Sequence, residues 1–321
     1  MKYGILIADR DIPFLEGVFE EWFDVRYLPG RAIGPDDVRE AAALVVRTRT
    51  RCDAALLEGS SVRLVATATI GTDHIDAAYC AAHGIAVASA PGCNAAAVAQ
   101  YIRTALRTLA LDRPGATLGV IGVGHVGTLV AEVGRQAGMH VLLSDPPREA
   151  AEGPEGFTPL PDLLAASDVV TLHIPLWPEN CNFADAAFFA AMKPGAAFIN
   201  ASRGEVVDEA ALLAARPHLS RLVLDVWKNE PDINRALLAA ADIATPHIAG
   251  YSIQGKMNGT RTVVRAVGET FGITSLRQFE VPDIPLPQTP YDILRDDAAL
   301  RTHPESFEKL RRNYSYRNDQ L

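Results

Sequence analysis

The chain has 321 residues, 48% of them apolar and 21% charged, with a formal net charge of -9. That length holds about two ordinary domains, and the balance is that of a soluble globular protein, which excludes disordered and fibrous classes. No apolar run approaches the roughly 20 residues of a membrane span, and a negative surface repels phosphate backbones, which excludes general nucleic-acid affinity.

The opening run Tyr3 to Ala8 is short and stops at Asp9 and Arg10. It therefore reads as a first strand of a cytoplasmic protein, not as a secretion signal. Further β-branched apolar runs follow at Ala43 to Thr48, Leu64 to Ile70 and Ile85 to Ser89. Pro91 and Gly92 close this series, and Ala95 to Leu111 predicts one long helix that could bridge two domains. A second series occupies Thr117 to Ile121, His140 to Ser144, Asp168 to Ile174, Ala196 to Ala201, Leu222 to Val226 and Ile243 to Thr245. Strands alternating with helix-compatible stretches predict parallel α/β layering in two domains. Cys52, Cys80, Cys93 and Cys181 are scattered, without paired or histidine-flanked spacing, and are expected to be buried thiols; no metal site is expected.

Gly122, Gly124 and Gly127 form G-x-G-x-x-G directly after the strand Leu118 to Ile121 and open the helical run His125 to Gln136. In that context the first glycine serves the tight turn, the second a close approach to pyrophosphate, and the third helix-on-strand packing. The N–H groups of His125 and Val126 lie at a helix N-terminus suited to phosphate. Asp145 ends the next strand, where a carboxylate accepts ribose hydroxyls and repels an added phosphate, so NAD is the expected cofactor. Arg148, three residues on, keeps NADP as a minority alternative.

Arg203, Glu230 and His247 each stand just beyond an apolar strand, where open α/β sheets collect ligands. A histidine can take a hydroxyl proton while hydride leaves carbon, a carboxylate can stabilise the imidazolium, and an arginine can hold a substrate carboxylate. Arg47, Arg49 and Arg51 alternate after Ala43 to Val46; in an extended chain they would share one face and form a cationic pocket for substrate phosphate. A solvated strand end is nearly as good a reading. Beyond Thr274, Pro282, Pro285, Pro287 and Pro290 predict an extended crossing segment. After it Phe307, Leu310 and Tyr314 mark one helical face, docked either on its own domain or on a partner subunit.

The stretches Ile121 to Gly127, Asn200 to Gly204, Leu224 to Trp227 with Asn229 to Pro231, and Pro246 to Gly250 resemble the D-2-hydroxyacid dehydrogenase family. Thr67 to His74, Ala90 to Asn94 and Ile248 to Lys256 resemble a branch of it that acts on a small phosphorylated 2-hydroxy acid. The resemblance implies two doubly wound, Rossmann-like parallel-sheet domains: 1–93 with 247–273 for substrate, 94–246 for NAD, and 274–321 as a short dimerisation region of a homodimer. It implies catalytic roles for Arg203, Glu230 and His247, cofactor contacts at Asp145, Asp225 and Gly250, and substrate contacts at Thr48, Thr69 and Tyr251. Arg47 is added as a phosphate contact on its charge. The chain departs from the family at Ile174, where a small polar residue is usual, in the segment Trp177 to Phe189, and in the shortness of its last region. Another D-2-hydroxyacid dehydrogenase and an NAD-sensing corepressor on the same scaffold remain the alternatives.

Overall fold

The computed structural model describes residues 2–320, which divide into two compact units. The first comprises the chain up to Asn94 with Ser252–Leu286, the second Ala95–Tyr251 with the chain from Pro287 onward.

The first unit is built on five strands, β1 (Ile5–Asp9), β2 (Asp24–Leu28), β3 (Ala41–Val46), β4 (Leu64–Thr67) and β5 (Ala86–Ala88), in the order β2-β1-β3-β4-β5. Every pairing is parallel. The central strands β3 and β4 are buried throughout, as parallel strands covered on both faces must be, and their sequences are accordingly continuous apolar runs. The helix Ile253–Phe271 lays Val263, Val264 and Val267 on this core. Ser252 Oγ caps it by accepting from Gly255 N at 2.9 Å, and Gly272 ends it in the left-handed region at φ 72°.

The second unit holds β6 (Thr117–Ile121), β7 (His140–Ser144), β8 (Val169–Leu172), β9 (Ala197–Asn200), β10 (Arg221–Leu224) and β11 (Ile243–Ala244). Their order is β11-β10-β9-β8-β6-β7, again all parallel. Both sheets are therefore doubly wound. The chain reverses direction of growth at β1/β3 in one and at β6/β8 in the other, and such switch points are where a crevice opens beyond the strand ends.

Several expectations change. The edge strand β2 was not anticipated, because Asp24 and Arg26 face outward and interrupt the apolar pattern. The long helix ends at Thr108 and lies wholly in the second unit, where Ala99, Ile102 and Leu106 are buried. Residues 247–251 belong to the second unit and 274–286 to the first, which moves the expected boundaries. The reason for the former is local: the backbone N–H of His247 donates to Asp225 O at 2.7 Å, and those of Ile248 and Ala249 donate to the Asp225 carboxylate at 2.8 and 2.9 Å. Among the cysteines, Cys52 and Cys80 are buried and Cys93 half-buried, but Cys181 is exposed.

The Pro-rich stretch 279–292 has no regular secondary structure, and the change of unit falls within it. The segment after it folds onto the second unit. Helix Ile293–Thr302 covers the edge strand β11: Asp297 Oδ1 accepts from Ala244 N at 2.7 Å, and Arg301 donates to the carbonyls of Leu238 and Ala241 at 2.9 and 2.7 Å. Phe307 is fully buried in the same unit, with Leu310 packed beside it and Tyr314 against the neighbouring cluster. The helix ends at Arg312, so Tyr314 lies beyond it and the single helical face expected of the three residues does not form; each is packed within the chain's own second unit.

Candidate active site

At the β6/β8 switch point, the strand β6 runs into a turn made by Gly122, Gly124 and Gly127. Gly122 has φ +84°, and a Cβ there would lie 2.7 Å from the His173 carbonyl. A Cβ on Gly127 would stand 1.9 Å from the Gly122 oxygen. The backbone itself therefore requires both glycines. Gly124 differs, since a Cβ there would meet no protein atom within 4 Å. No protein atom crowds this exposed helix cap, so the backbone there is open to a ligand approaching the helix N-terminus. His125 and Val126 supply N–H groups in the first turn of the helix His125–Gln136.

Asp145, at the end of β7, accepts from Val123 N at 2.7 Å and from Arg148 N at 3.1 Å, so it pins the glycine turn to the next helix. Arg148 is folded away: it donates to Glu152 at 2.6 and 2.7 Å and to Val123 O at 2.7 Å. Ile174 packs over the turn, its Cγ2 2.9 Å from where a Gly122 Cβ would be. Desolvation pushes its neighbour His173 down to about 3, so this imidazole is neutral near pH 7; its Nε2 lies 3.0 Å from Thr171 Oγ1.

The strands β9, β10 and β11 are adjacent, and their carboxyl ends carry Arg203, Glu230 and His247 respectively. Buried Asn200 shapes the first turn, accepting from Ser202 N at 3.0 Å and donating to Arg203 O at 2.8 Å. The next residue, Gly204, presses on the second turn, since a Cβ there would be 2.0 Å from the Trp227 carbonyl carbon. Trp227 N in turn donates to Glu230 Oε1 at 3.0 Å. Asp225, 1% exposed, uses both carboxylate oxygens on the His247 loop, accepting from Thr245 Oγ1 at 2.6 Å besides Ile248 and Ala249 N–H. That scaffolding role was not visible in the sequence. It holds His247 at φ 58°, in the left-handed region that costs a non-glycine residue strain and that functional sites retain.

His247 Nδ1 meets Glu230 Oε2 at 2.8 Å and Oε1 at 3.1 Å. Burial opposes the Glu230 charge, yet His247, Arg311 and the Trp227 N–H together hold its carboxyl below the usual range. An ionised carboxylate on Nδ1–H fixes the tautomer and leaves Nε2 as the nitrogen that can take a proton. Arg311 was not anticipated: its Nη1 lies 3.3 Å from Glu230 Oε2, across 81 residues of sequence. Tyr251 packs edge-on to Tyr314, centroids 5.8 Å apart, and Gly250 precedes it in the same turn.

The remaining expected residues lie in the first unit. The Arg47 to Arg51 stretch is a turn, Thr50 N donating to Arg47 O at 3.1 Å, so the alternation that would align three arginines does not apply. Arg47 is paired with Asp9 at 2.9 Å and with Asp11 at 2.9 Å, and Arg51 with Asp53 at 2.6 Å. Thr48 is exposed. Thr69 Oγ1 contacts Thr67 Oγ1 at 2.7 Å, and His74 Nε2 meets Thr67 Oγ1 at 3.1 Å.

A glycine turn at a switch point and a histidine–carboxylate pair at neighbouring strand ends define a nucleotide-dependent dehydrogenase. Residues 93–249 match the NAD binding domain of the D-isomer specific 2-hydroxyacid dehydrogenases. An erythronate-4-phosphate dehydrogenase from Bacteroides fragilis is 43% identical over 98% of this chain and 97% of its own length. Among solved structures, a D-lactate dehydrogenase from Aquifex aeolicus complexed with NAD and lactic acid superposes at a TM-score of 0.68, with 27% identity, over 88% of this chain and 99% of its own. A protein from Thermus thermophilus, TT0316, gives 0.71 and 27% over 87% and 99%. The chain belongs to the D-isomer specific 2-hydroxyacid dehydrogenase family. It is an oxidoreductase, and its cofactor is NAD.

Proposed function

We propose that the chain oxidises 4-phospho-D-erythronate at C2 to 2-oxo-3-hydroxy-4-phosphobutanoate, a step toward pyridoxal phosphate. The His247–Glu230 pair at 2.8 Å carries the chemical part of the reading, and the whole-length similarity to erythronate-4-phosphate dehydrogenases carries the substrate. NAD, when bound, supplies the acceptor for the hydride that leaves C2. His247 Nε2 takes the C2 hydroxyl proton, Glu230 stabilises the resulting imidazolium, and Arg203 pairs with the substrate carboxylate. Gly122, Gly124, His125, Val126 and Gly127 receive the pyrophosphate and Asp145 the ribose, with Gly250 as a further cofactor contact; Asp225, proposed with them on family resemblance, must be tested against its bonds to the His247 loop. For the substrate we propose Thr48, Thr69 and Tyr251, while Arg47 must be tested against its ion pairs.

Among the described residues no helix is long and apolar enough to cross a membrane, and a cytoplasmic homodimer is proposed on family resemblance alone; mass in solution at micromolar concentration checks the latter. The deciding assay is NADH formation from NAD with 4-phosphoerythronate, glycerate, lactate and 3-phosphoglycerate. Preference for the first supports the reading. Preference for another member moves the chain elsewhere within the family, and no turnover of any would favour an NAD-sensing role.

A further inference from the structure

Two arginines of the segment that follows the Pro-rich stretch reach the elements that hold His247. Arg311, on the helix Phe307–Arg312, has a side chain only 17% exposed and places Nη1 3.3 Å from Glu230 Oε2. Arg317, 6% exposed, enters behind the turn that follows His247. It donates to Ile248 O at 3.0 Å, Tyr251 O at 3.1 Å and Ala249 O, binds Gln100 Oε1 at 2.8 Å, and lies over the Tyr291 ring at 4.2 Å. One segment thus touches both the carboxylate partner of His247 and the turn that carries it.

We infer that this segment is a working part of the candidate active site, and that Arg311 is a positioning residue that shares the Glu230 carboxylate with His247 and so limits how strongly Glu230 favours the protonated ring. The inference rests on the His247–Glu230 reading given above. The charged groups around His247 in its unit are few. Glu230 comes from the loop after β10. Arg311 comes from the helix, with Glu308 3.6 Å behind it and the Tyr251 phenol beside it. Arg317 lies behind the turn, Asp225 is bound to the turn's N–H groups, and Arg203 is carried by the turn after β9. Only Arg311 and His247 are ion-paired to Glu230 among the described residues.

Removing Arg311 would leave the Glu230 carboxylate to the imidazole alone, which favours the protonated ring. A general base acts in its neutral form, so oxidation would then require a higher pH.

The test is the pH profile of kcat/KM for oxidation of 4-phosphoerythronate by the full chain with NAD. Arg311→Gln should move the acidic limb up by roughly 0.5 to 1 pH unit, a partly exposed pair giving less than a buried one. Arg311→Lys should return the limb most of the way to the parent value, and the Kd for NAD should stay within about twofold of the parent in both variants. Glu230→Gln should lower the limb, and Arg311→Gln added to it should move the limb no further. An equal rate loss at every pH, or a shift that persists in the Glu230→Gln background, would overturn the inference. If Glu230→Gln alone leaves the profile in place, the histidine–carboxylate reading itself fails, and the inference with it. Should Arg311→Gln not fold, Glu308→Gln gives the opposite readout: with one competitor removed, Arg311 binds Glu230 more fully and the limb should fall. An unmoved or rising limb in that variant overturns the proposal.

Discussion

Two turns at the carboxyl ends of strands, one in each unit, were both marked in the sequence as anion sites, and they fare differently. The turn Gly122 to Gly127 follows β6 and has the glycine-dependent backbone geometry expected of it. The turn Arg47 to Arg51 follows β3 and lacks the extended alternation expected of it, Arg47 being paired with Asp9 and Asp11; its phosphate role stands as a proposal. Both stand at a switch point of a doubly wound sheet. What separates them is the range of the physics. A glycine is required by its own φ and by atoms a few residues away, as Gly122 and Gly127 show. A charge means whatever stands opposite it, and the partner of Arg47 is 38 residues distant.

The site at β9, β10 and β11 combines both ranges, and the largest effect is expected there. His247→Ala should lower kcat by on the order of 100-fold or more, the usual contribution of a positioned base. NAD binding should survive, since the glycine turn is untouched. Steady-state rates with a fluorescence titration of NAD separate the two. Unchanged turnover would mean that strand-end placement, the most local of the arguments, had misled.

That site also shows how far the sequence could be read. The fold class was legible because central parallel strands are continuous apolar runs, as Ala41–Val46 is. The edge strand Asp24–Leu28 was not, because one side of an edge faces water and its sequence looks like a loop. The placement of Arg203, Glu230 and His247 beyond strands was legible in the sequence. The links between them were not: Gly204 pressed against Trp227, Asp225 holding the His247 loop, and Arg311 on Glu230 are all tertiary contacts with no periodic signature. Phe307 and Leu310 were read correctly as apolar, but the helix ends at Arg312, so Tyr314 does not share their face, and a sequence does not say which surface an apolar face will cover.

A sharper test of the comparison is Arg47→Ala. The Asp9 carboxylate is fully buried, and losing its guanidinium partner should destabilise the chain by about 2 to 4 kcal/mol, somewhat under the range for a wholly buried pair. Thermal or urea unfolding measures this directly. KM for 4-phosphoerythronate should be compared with KM for an unphosphorylated 2-hydroxy acid in the same variant. A roughly ten-fold rise confined to the phosphorylated substrate, with stability unchanged, would support the phosphate reading and erase the contrast between the turns.

The smallest effect concerns Asp145, where the local reading is carried one step further, from glycine turn to cofactor choice. The carboxylate holds two backbone N–H groups, Val123 at 2.7 Å and Arg148 at 3.1 Å, so its replacement by alanine would loosen the turn as well as remove a charge. Asp145→Asn is the cleaner variant, because an amide oxygen can still accept one of these bonds. A carboxylate facing the adenosine ribose repels a 2′-phosphate, while the neutral amide does not. Arg148 cannot compensate in the parent, since its guanidinium is bound to Glu152 and to Val123 O. The ratio of NAD to NADP affinity should therefore fall by roughly ten-fold in Asp145→Asn, about 1.4 kcal/mol of lost discrimination. NAD affinity itself should change little. Equal affinity for the two cofactors in the parent protein would show that Asp145 serves the turn alone, and that the reach of the local reading ends at the glycines.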